Sequence, residues 1–318
     1  MQGISQEQGT DPLFCCEENC RICPRECGVN RCSGAKGYCG ESAELVVARA
    51  ALHMWEEPCI SGEAGSGTVF FSGCNLRCVF CQNYNLSRAK AGIAISVERL
   101  SDILLELKDK GANNINLVTP THYVPQIVKA IDLARTKGLD LPIVYNCGGY
   151  ESVDTLKMLE GYVDVWLPDF KYKSDVLAMR YSKAADYFSR ASLAVAEMVR
   201  QTKGETVFDE NGIMTRGVIV RHLILPGQTA DSKRVLRYLH ETYADSIYIS
   251  IMNQFTPMTD LTDYPELNRR VTDDEYARVV DFARRIGIDK GFIQEGGTAS
   301  ESFIPEFDGE GVIPSTTI

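Results

Sequence analysis

The sequence predicts an α/β chain made of six βα units arranged as a partial (β/α)6 barrel, with a cysteine-rich extension in front of it. Three observations carry this prediction. From residue 68 onward, short runs rich in β-branched and aromatic residues alternate six times with segments of helical period. Those six units occupy residues 68–290, whereas a closed eight-unit barrel takes about 250 residues for the barrel alone. Residues 15–40 are rich in Cys, Gly, Asn and Arg and have no apolar period, so they need a metal to hold them in place of a core.

The chain accordingly divides into an extension over 1–60, a barrel over 61–300 and a tail over 301–318, loose from residue 305. Residues 1–14 are polar and expected to fray. Thr68–Ser72 is the first strand. Ser96 caps a helix that runs to Lys110 and stops at Gly111. Ile115–Val118 is the second strand, and its helix runs from Val124 to Lys137 before Gly138. Pro142–Tyr145 is the third, with Ser152 capping a helix through Glu160. Val163–Leu167 is the fourth, followed by one long helical region from Asp175 to Lys203. Gly217–Leu225 is the fifth, with a helix from Asp231 to Tyr243. Ser246–Met252 is the sixth; Thr272 or Asp273 caps the last helix to Ile286, and Phe292–Gln294 adds a short extended piece. In such folds ligands bind at the C-terminal ends of the strands.

A net charge of -10 argues against non-specific nucleic-acid binding, which selects for Lys and Arg surface. The apolar runs are too short to span a bilayer, and the first residues carry no signal pattern, so a cytoplasmic protein without membrane partners is expected. Twelve cysteines are then more readily metal ligands than disulfides. Seven fall between Cys15 and Cys39 and three between Cys74 and Cys81, with Cys59 and Cys147 apart, which suggests two inorganic sites.

The second group is Cys74-Asn-Leu-Arg-Cys78-Val-Phe-Cys81, spaced C-x3-C-x2-C directly after the first strand. Gly73 lets the backbone turn into this loop. Three close thiolates chelate a soft metal centre. Structural zinc wants four ligands, and a cubane cluster is usually held by four thiolates, so three leave one iron open. The blander readings are a zinc knuckle sharing ligands with the N-terminal cysteines, or buried structural thiols.

CNLRCVFC resembles the radical S-adenosylmethionine (SAM) signature, with Phe80 at its aromatic position. The resemblance implies a radical SAM type partial barrel and a [4Fe-4S] cluster on Cys74, Cys78 and Cys81. It implies that the open iron chelates S-adenosylmethionine, that one electron cleaves it to a 5′-deoxyadenosyl radical, and that this radical abstracts hydrogen from a substrate. Such an oxidoreductase needs a one-electron reductant such as flavodoxin or ferredoxin. Cys81-Gln-Asn83, Leu117–Tyr123, Asn146–Gly149, Asp169-Phe-Lys171 and Val220–Gly227 further resemble the branch related to pyruvate formate-lyase activating enzyme, over residues from about 20 to 295. The implied target is a glycyl-radical enzyme, with a peptide or small molecule as alternatives. By the same resemblance Asp169 and Lys171 match an active-site Asp-x-Lys pair.

Other candidates are read from their strand-end positions. Arg221, a charge in an apolar strand, suits either the methionyl carboxylate of the cofactor or a structural ion pair within the barrel. Phe80, Asn83, Thr119, Thr121, Asn146, Asp169 and Arg221 are cofactor-binding candidates, with Asn253 beside them. His122 and His222 lie where a proton shuttle is useful, and His222 joins Asp169 and Lys171 as a catalytic candidate. Where many relatives end the second strand in Gly-Gly-Glu, this chain has Thr119-Pro-Thr-His122.

Cys20, Cys23, Cys27 and Cys39 follow a C-x2-C-x3-C-x11-C spacing that can close a second metal site, either structural zinc or a second iron–sulfur cluster. Two rival readings of the whole chain follow: an interaction module with zinc at both sites, and an electron-transfer protein with two clusters.

Overall fold

The computed structural model describes residues 19–258, 261–294 and 305–314. Cys15, Cys16 and the expected frayed segment lie outside the described residues. The strands are β1 Leu45–His53, β2 Ser66–Phe71, β3 Ile93–Ile95, β4 Ile115–Val118, β5 Ile143–Cys147, β6 Val165–Pro168, β7 Val207–Phe208, β8 Met214–Leu223, β9 Tyr248–Met252 and β10 Gly291–Ile293. They form one sheet in the order β10-β9-β8-β6-β5-β4-β2-β1-β3, with β7 paired to β8. Every pair from β2 to β10 along that path is parallel, while β1 pairs antiparallel with β2 and β3. Six parallel strands, each followed by a helical crossover, are the six expected units; β10 extends their row.

The helices are α1 Pro58–Ser61, α2 Tyr84–Ser87, α3 Val97–Asp109, α4 Val124–Thr136, α5 Val153–Met158, α6 Asp175–Ser182, α7 Tyr187–Thr202, α8 Thr229–Tyr243 and α9 Asp273–Arg285. The longer ones start and pack as their sequences dictate. The Ser96 side chain accepts from the Arg99 N–H, and α3 then buries Leu100, Ile103, Leu104 and Leu107 along one stripe. Thr272 and Glu275 form a reciprocal capping box at α9. No helix among the described residues is long and apolar enough to cross a membrane.

Strand periodicity sorts residues onto two faces. Tyr145, Trp166, Val218, Val220 and Ile251 face the helices in the main core. Val144, Val165, Leu167 and Ile219 face the barrel interior, where Cys59 and Ile60 of α1 pack on them. The short helix α1 therefore caps the interior with apolar contacts, and the loop before it brings residues 54–57 in beside the strands.

Three expectations are corrected. The sheet begins in the stretch assigned to the extension, because β1 pairs with β2 over Val47 to His53. The long helical region is two helices: Lys183, at φ 51°, ends α6 in a left-handed turn. The expected loose tail packs on β1 within residues 305–314. Gly309 N donates to Ala48 O at 3.0 Å, Ala50 N to Glu310 O at 2.8 Å, and the Phe307 ring sits 5.5 Å from Phe70. An aromatic side chain and two carboxylates facing Arg49 explain why this segment is held.

Candidate functional site

The barrel interior opens into a cavity of about 790 Å³. Its wall includes Cys78, Phe80, Cys81 and Asn83 from the loop after β2, and Asn146, Asp169, Lys171 and Arg221 from the strand ends. The loop is set by its backbone. Gly73 adopts φ +86°, and a Cβ there would lie 2.7 Å from Glu41 Cγ and 2.9 Å from the Cys39 carbonyl. Arg77, also left-handed at φ 55°, turns the chain between Cys74 and Cys78.

The three thiols lie in one another's field. Cys74 Sγ accepts from the Leu76 N–H at 3.4 Å, and Cys78 Sγ from the Ser182 hydroxyl at 2.9 Å. Burial pushes the Cys81 thiol up to about 12, so a bare thiolate is disfavoured there. Phe80 packs between Tyr181 and Phe255, which fixes the loop's apolar side.

Across the cavity runs a chain of ion pairs. Arg221 Nε donates to Asp169 Oδ1 at 3.0 Å, Nη1 to Glu56 Oε2 at 3.2 Å and Nη2 to Asn146 Oδ1 at 2.6 Å. Lys171 Nζ donates to Asp169 Oδ2 at 2.5 Å. Glu56 also accepts from Asn116 and Asn146, at 3.1 and 3.2 Å. Despite burial, the cations Lys171 and Arg221 hold Asp169 below the usual carboxylate range. Burial drives Glu56 and Glu57 the other way, above that range, with Arg221 opposing it. Buried charges persist when each is paired and hydrogen-bonded, as these are. Arg221 thus has protein carboxylates as its partners.

Phe80, Asn83, Asn146, Asp169, Lys171 and Arg221 all reach the cavity. Five other predicted residues, His222, Thr121, Thr119, Asn253 and His122, do not line it. His222 follows Arg221 on β8 and so faces the opposite side of the sheet, where its Nδ1 meets Phe170 O at 2.7 Å. This corrects its proposed catalytic place. Thr121 is buried and donates to Glu151 at 2.9 Å. Thr119 sits at φ 58°, its N–H donating to Asn146 O. Asn253 donates its N–H to Gln294 Oε1 at 2.8 Å. His122 is structural in its contacts: its Nε2 lies 2.6 Å from Ser72 O, just before the cysteine loop. Cys147 is a buried thiol.

Sequence reasoning missed Glu56 and Glu57, since they lay in the presumed extension. The available signal was the Trp55-Glu-Glu-Pro58 stretch, two adjacent carboxylates after an apolar run. It also missed Gln82, whose Nε2 donates to Gln254 O at 2.7 Å and ties the cysteine loop to the end of β9.

An uncharacterized protein of Methanocaldococcus jannaschii is 27% identical over 284 residues, covering 86% of this chain and 76% of that protein. Solved structures of Streptococcus suis SuiB are also similar. The one bound to S-adenosylmethionine has 14% identity and a TM-score of 0.42, covering 70% of this chain and 45% of SuiB. The one bound to precursor peptide SuiA has 13% identity and a TM-score of 0.43, covering 70% and 46%. The chain thus spans about half the length of the solved structures it matches. The family model described as the radical SAM superfamily matches residues 68–239, from the strand that leads into the cysteine loop through most of α8. That match takes in the cysteine loop and five of the six parallel units, and the chain belongs to the radical SAM superfamily.

Proposed function

We propose that this chain cleaves S-adenosylmethionine reductively at a [4Fe-4S] cluster held by Cys74, Cys78 and Cys81, and that hydrogen is then abstracted from a substrate in the cavity. The observation that carries the reading is three thiols in one another's field on one loop, two of which, Cys78 and Cys81, line the cavity. The residues suit the cluster. Three thiols on one loop are soft ligands for iron and leave one iron open. When bound, the cluster supplies the electron that splits the sulfonium and yields the 5′-deoxyadenosyl radical.

The protein's share is positioning and shielding. Lys171, paired to Asp169, presents a cation beside Cys78 and Cys81 for a carboxylate. Asn83 and Asn146 offer amides, and Phe80 offers an apolar face, to a nucleoside. The carboxylates of Glu56 and Asp169 keep Arg221 fixed, so the wall does not collapse when a ligand enters. We read the target as a glycyl-radical enzyme or another polypeptide, with a small molecule as the alternative. Met54, Trp55 and Ile293 at the cavity edge are 43%, 61% and 39% exposed, an apolar border that suits a polypeptide. Flavodoxin or ferredoxin in the cytoplasm is the matching reductant.

Anaerobic reconstitution with iron and sulfide, followed by dithionite and S-adenosylmethionine, is expected to yield 5′-deoxyadenosine. Transfer of deuterium from a labelled candidate substrate into that product identifies the target class. Zinc without acid-labile sulfide at this loop, or a loaded cluster that forms no 5′-deoxyadenosine, overturns the reading.

A further inference from the structure

Cys20, Cys23 and Cys39 are 4%, 7% and 7% exposed, and Cys27 is half-buried. None of the four lines the cavity. The backbone gathers them. Cys20 N donates to Val29 O at 3.1 Å and Gly28 N to Cys20 O at 3.0 Å, which folds the first three cysteines into a closed loop. Glu26 N donates to Cys23 O at 3.0 Å, tightening the turn inside it. Gly37 brings in the fourth. A Cβ on Gly37 would sit 3.1 Å from Cys27 Sγ and 3.5 Å from Cys39 Sγ, so both sulfurs crowd the same bare backbone. Cys20 and Cys27 lie in each other's electrostatic field, as do Cys23 and Cys39. Among the described residues, neither these thiols nor those at the cavity are already grouped at metal-binding distance.

We propose that Cys20, Cys23, Cys27 and Cys39 hold one zinc ion as a closed tetrathiolate site. The ligand set favours a single ion over a cluster. Four thiols complete the closed shell of structural zinc, and the C-x2-C-x3-C run of Cys20, Cys23 and Cys27 departs from the C-x2-C-x2-C-x3-C spacing of ferredoxin-type clusters. The site is also closed by design: four thiols satisfy the ion and leave no position for a substrate.

The zinc loop clamps the cavity loop. Cys74 N donates to Cys39 O at 3.2 Å, Arg77 Nη1 to Tyr38 O at 3.1 Å and Arg25 Nε to Asn75 O at 2.7 Å. Arg25 also donates to the carbonyls of Ser182 and Lys183 and stacks 4.0 Å over Tyr38. Zinc loss therefore loosens the backbone that presents Cys74.

The test uses the full chain carrying C74A, C78A and C81A, purified and assayed for zinc, iron and acid-labile sulfide. One zinc per chain without sulfide is expected, and it must fall to background in C20S or C39S while the exposed Cys32 exchanged as C32S leaves it unchanged. Because C20S can fail by unfolding, cobalt exchanged into the unmutated loop gives an independent reading. Sulfur-to-cobalt charge transfer and intense d–d bands are the expected tetrathiolate spectrum. Iron with sulfide in this variant, no stoichiometric metal, zinc that survives C20S and C39S together, or a cobalt spectrum without thiolate bands would each overturn the proposal. None of these outcomes depends on S-adenosylmethionine cleavage, so they are separable from the activity proposed for the cavity.

Discussion

Two cysteine loops lie back to back in this molecule and differ in what they face. The loop after β2 shows Cys78 and Cys81 to a cavity, has three thiols and stands opposite an ion-pair chain. The loop over Cys20–Cys39 has four thiols, faces none of that cavity and closes on its own backbone. On the proposed readings, the same element, a thiol on a tight turn, serves an open site in one loop and a closed one in the other, according to ligand count and what lies beyond the sulfurs. The Cys74–Cys39 hydrogen bond at 3.2 Å joins the two, so their separation is itself testable.

The largest effect expected is from Cys78→Ala. It should abolish 5′-deoxyadenosine formation and bound sulfide while the zinc of the other loop stays at one per chain. Parallel loss of both metals would collapse the distinction. Arg221→Met comes next. It leaves Asp169 and Glu56 without their shared cation inside the barrel, a loss expected to cost about 3–5 kcal/mol in denaturant unfolding. If the closed loop is independent of the cavity, zinc content survives at denaturant levels below that transition.

The third is a pH effect at Glu151, which lies between the barrel and the closed loop and accepts from Thr121 and Tyr145. Burial pushes its carboxyl up to about 8, against a usual value of 4.5. The native state therefore binds the proton that the unfolded chain releases. Its contribution is complete below about pH 4.5 and is lost as pH rises through about 8. Glu151→Gln should flatten that decline, by on the order of a few kcal/mol between its two ends. An equal decline in stability between pH 4.5 and 8 for both proteins would show that Glu151 is ionised in the native state.

The smallest is Gly73→Ala, at the junction of the two loops. The left-handed backbone and the contacts at 2.7 and 2.9 Å predict about 1–3 kcal/mol of destabilisation and reduced iron loading. Iron loading equal to that of the unmodified chain would show that the junction tolerates a shift.

Much of the fold was legible in sequence because it is local. Apolar period, caps such as Ser96 and Thr272, and stops such as Gly111 act over a few residues. Six βα units and the cysteine loop after the first strand followed from them. The breaks in legibility have particular causes. The region from Asp175 to Lys203 keeps its helical period through Lys183, but that residue adopts a left-handed turn whose carbonyl Arg25 captures from another part of the chain. Leu45–His53 reads as an apolar run, and only its partner β2 makes it part of the sheet. The segment over 305–314 has little period of its own and is ordered by β1.

By itself, then, the sequence determined the six-unit rhythm, the C-x3-C-x2-C loop that ends its first strand, and the presence of Asp169, Lys171 and Arg221 at strand ends. Only the tertiary structure decided which face each of these presents. Arg221 and His222 are neighbours, yet a strand turns successive side chains to opposite sides, so one meets the cavity and the other the helices. Only the tertiary structure, too, brought Glu56 from before the barrel to 3.2 Å from Arg221, across 165 positions of chain. Local pattern specifies elements through short-range sterics and burial, whereas a buried charge finds its partner only once those elements close around it.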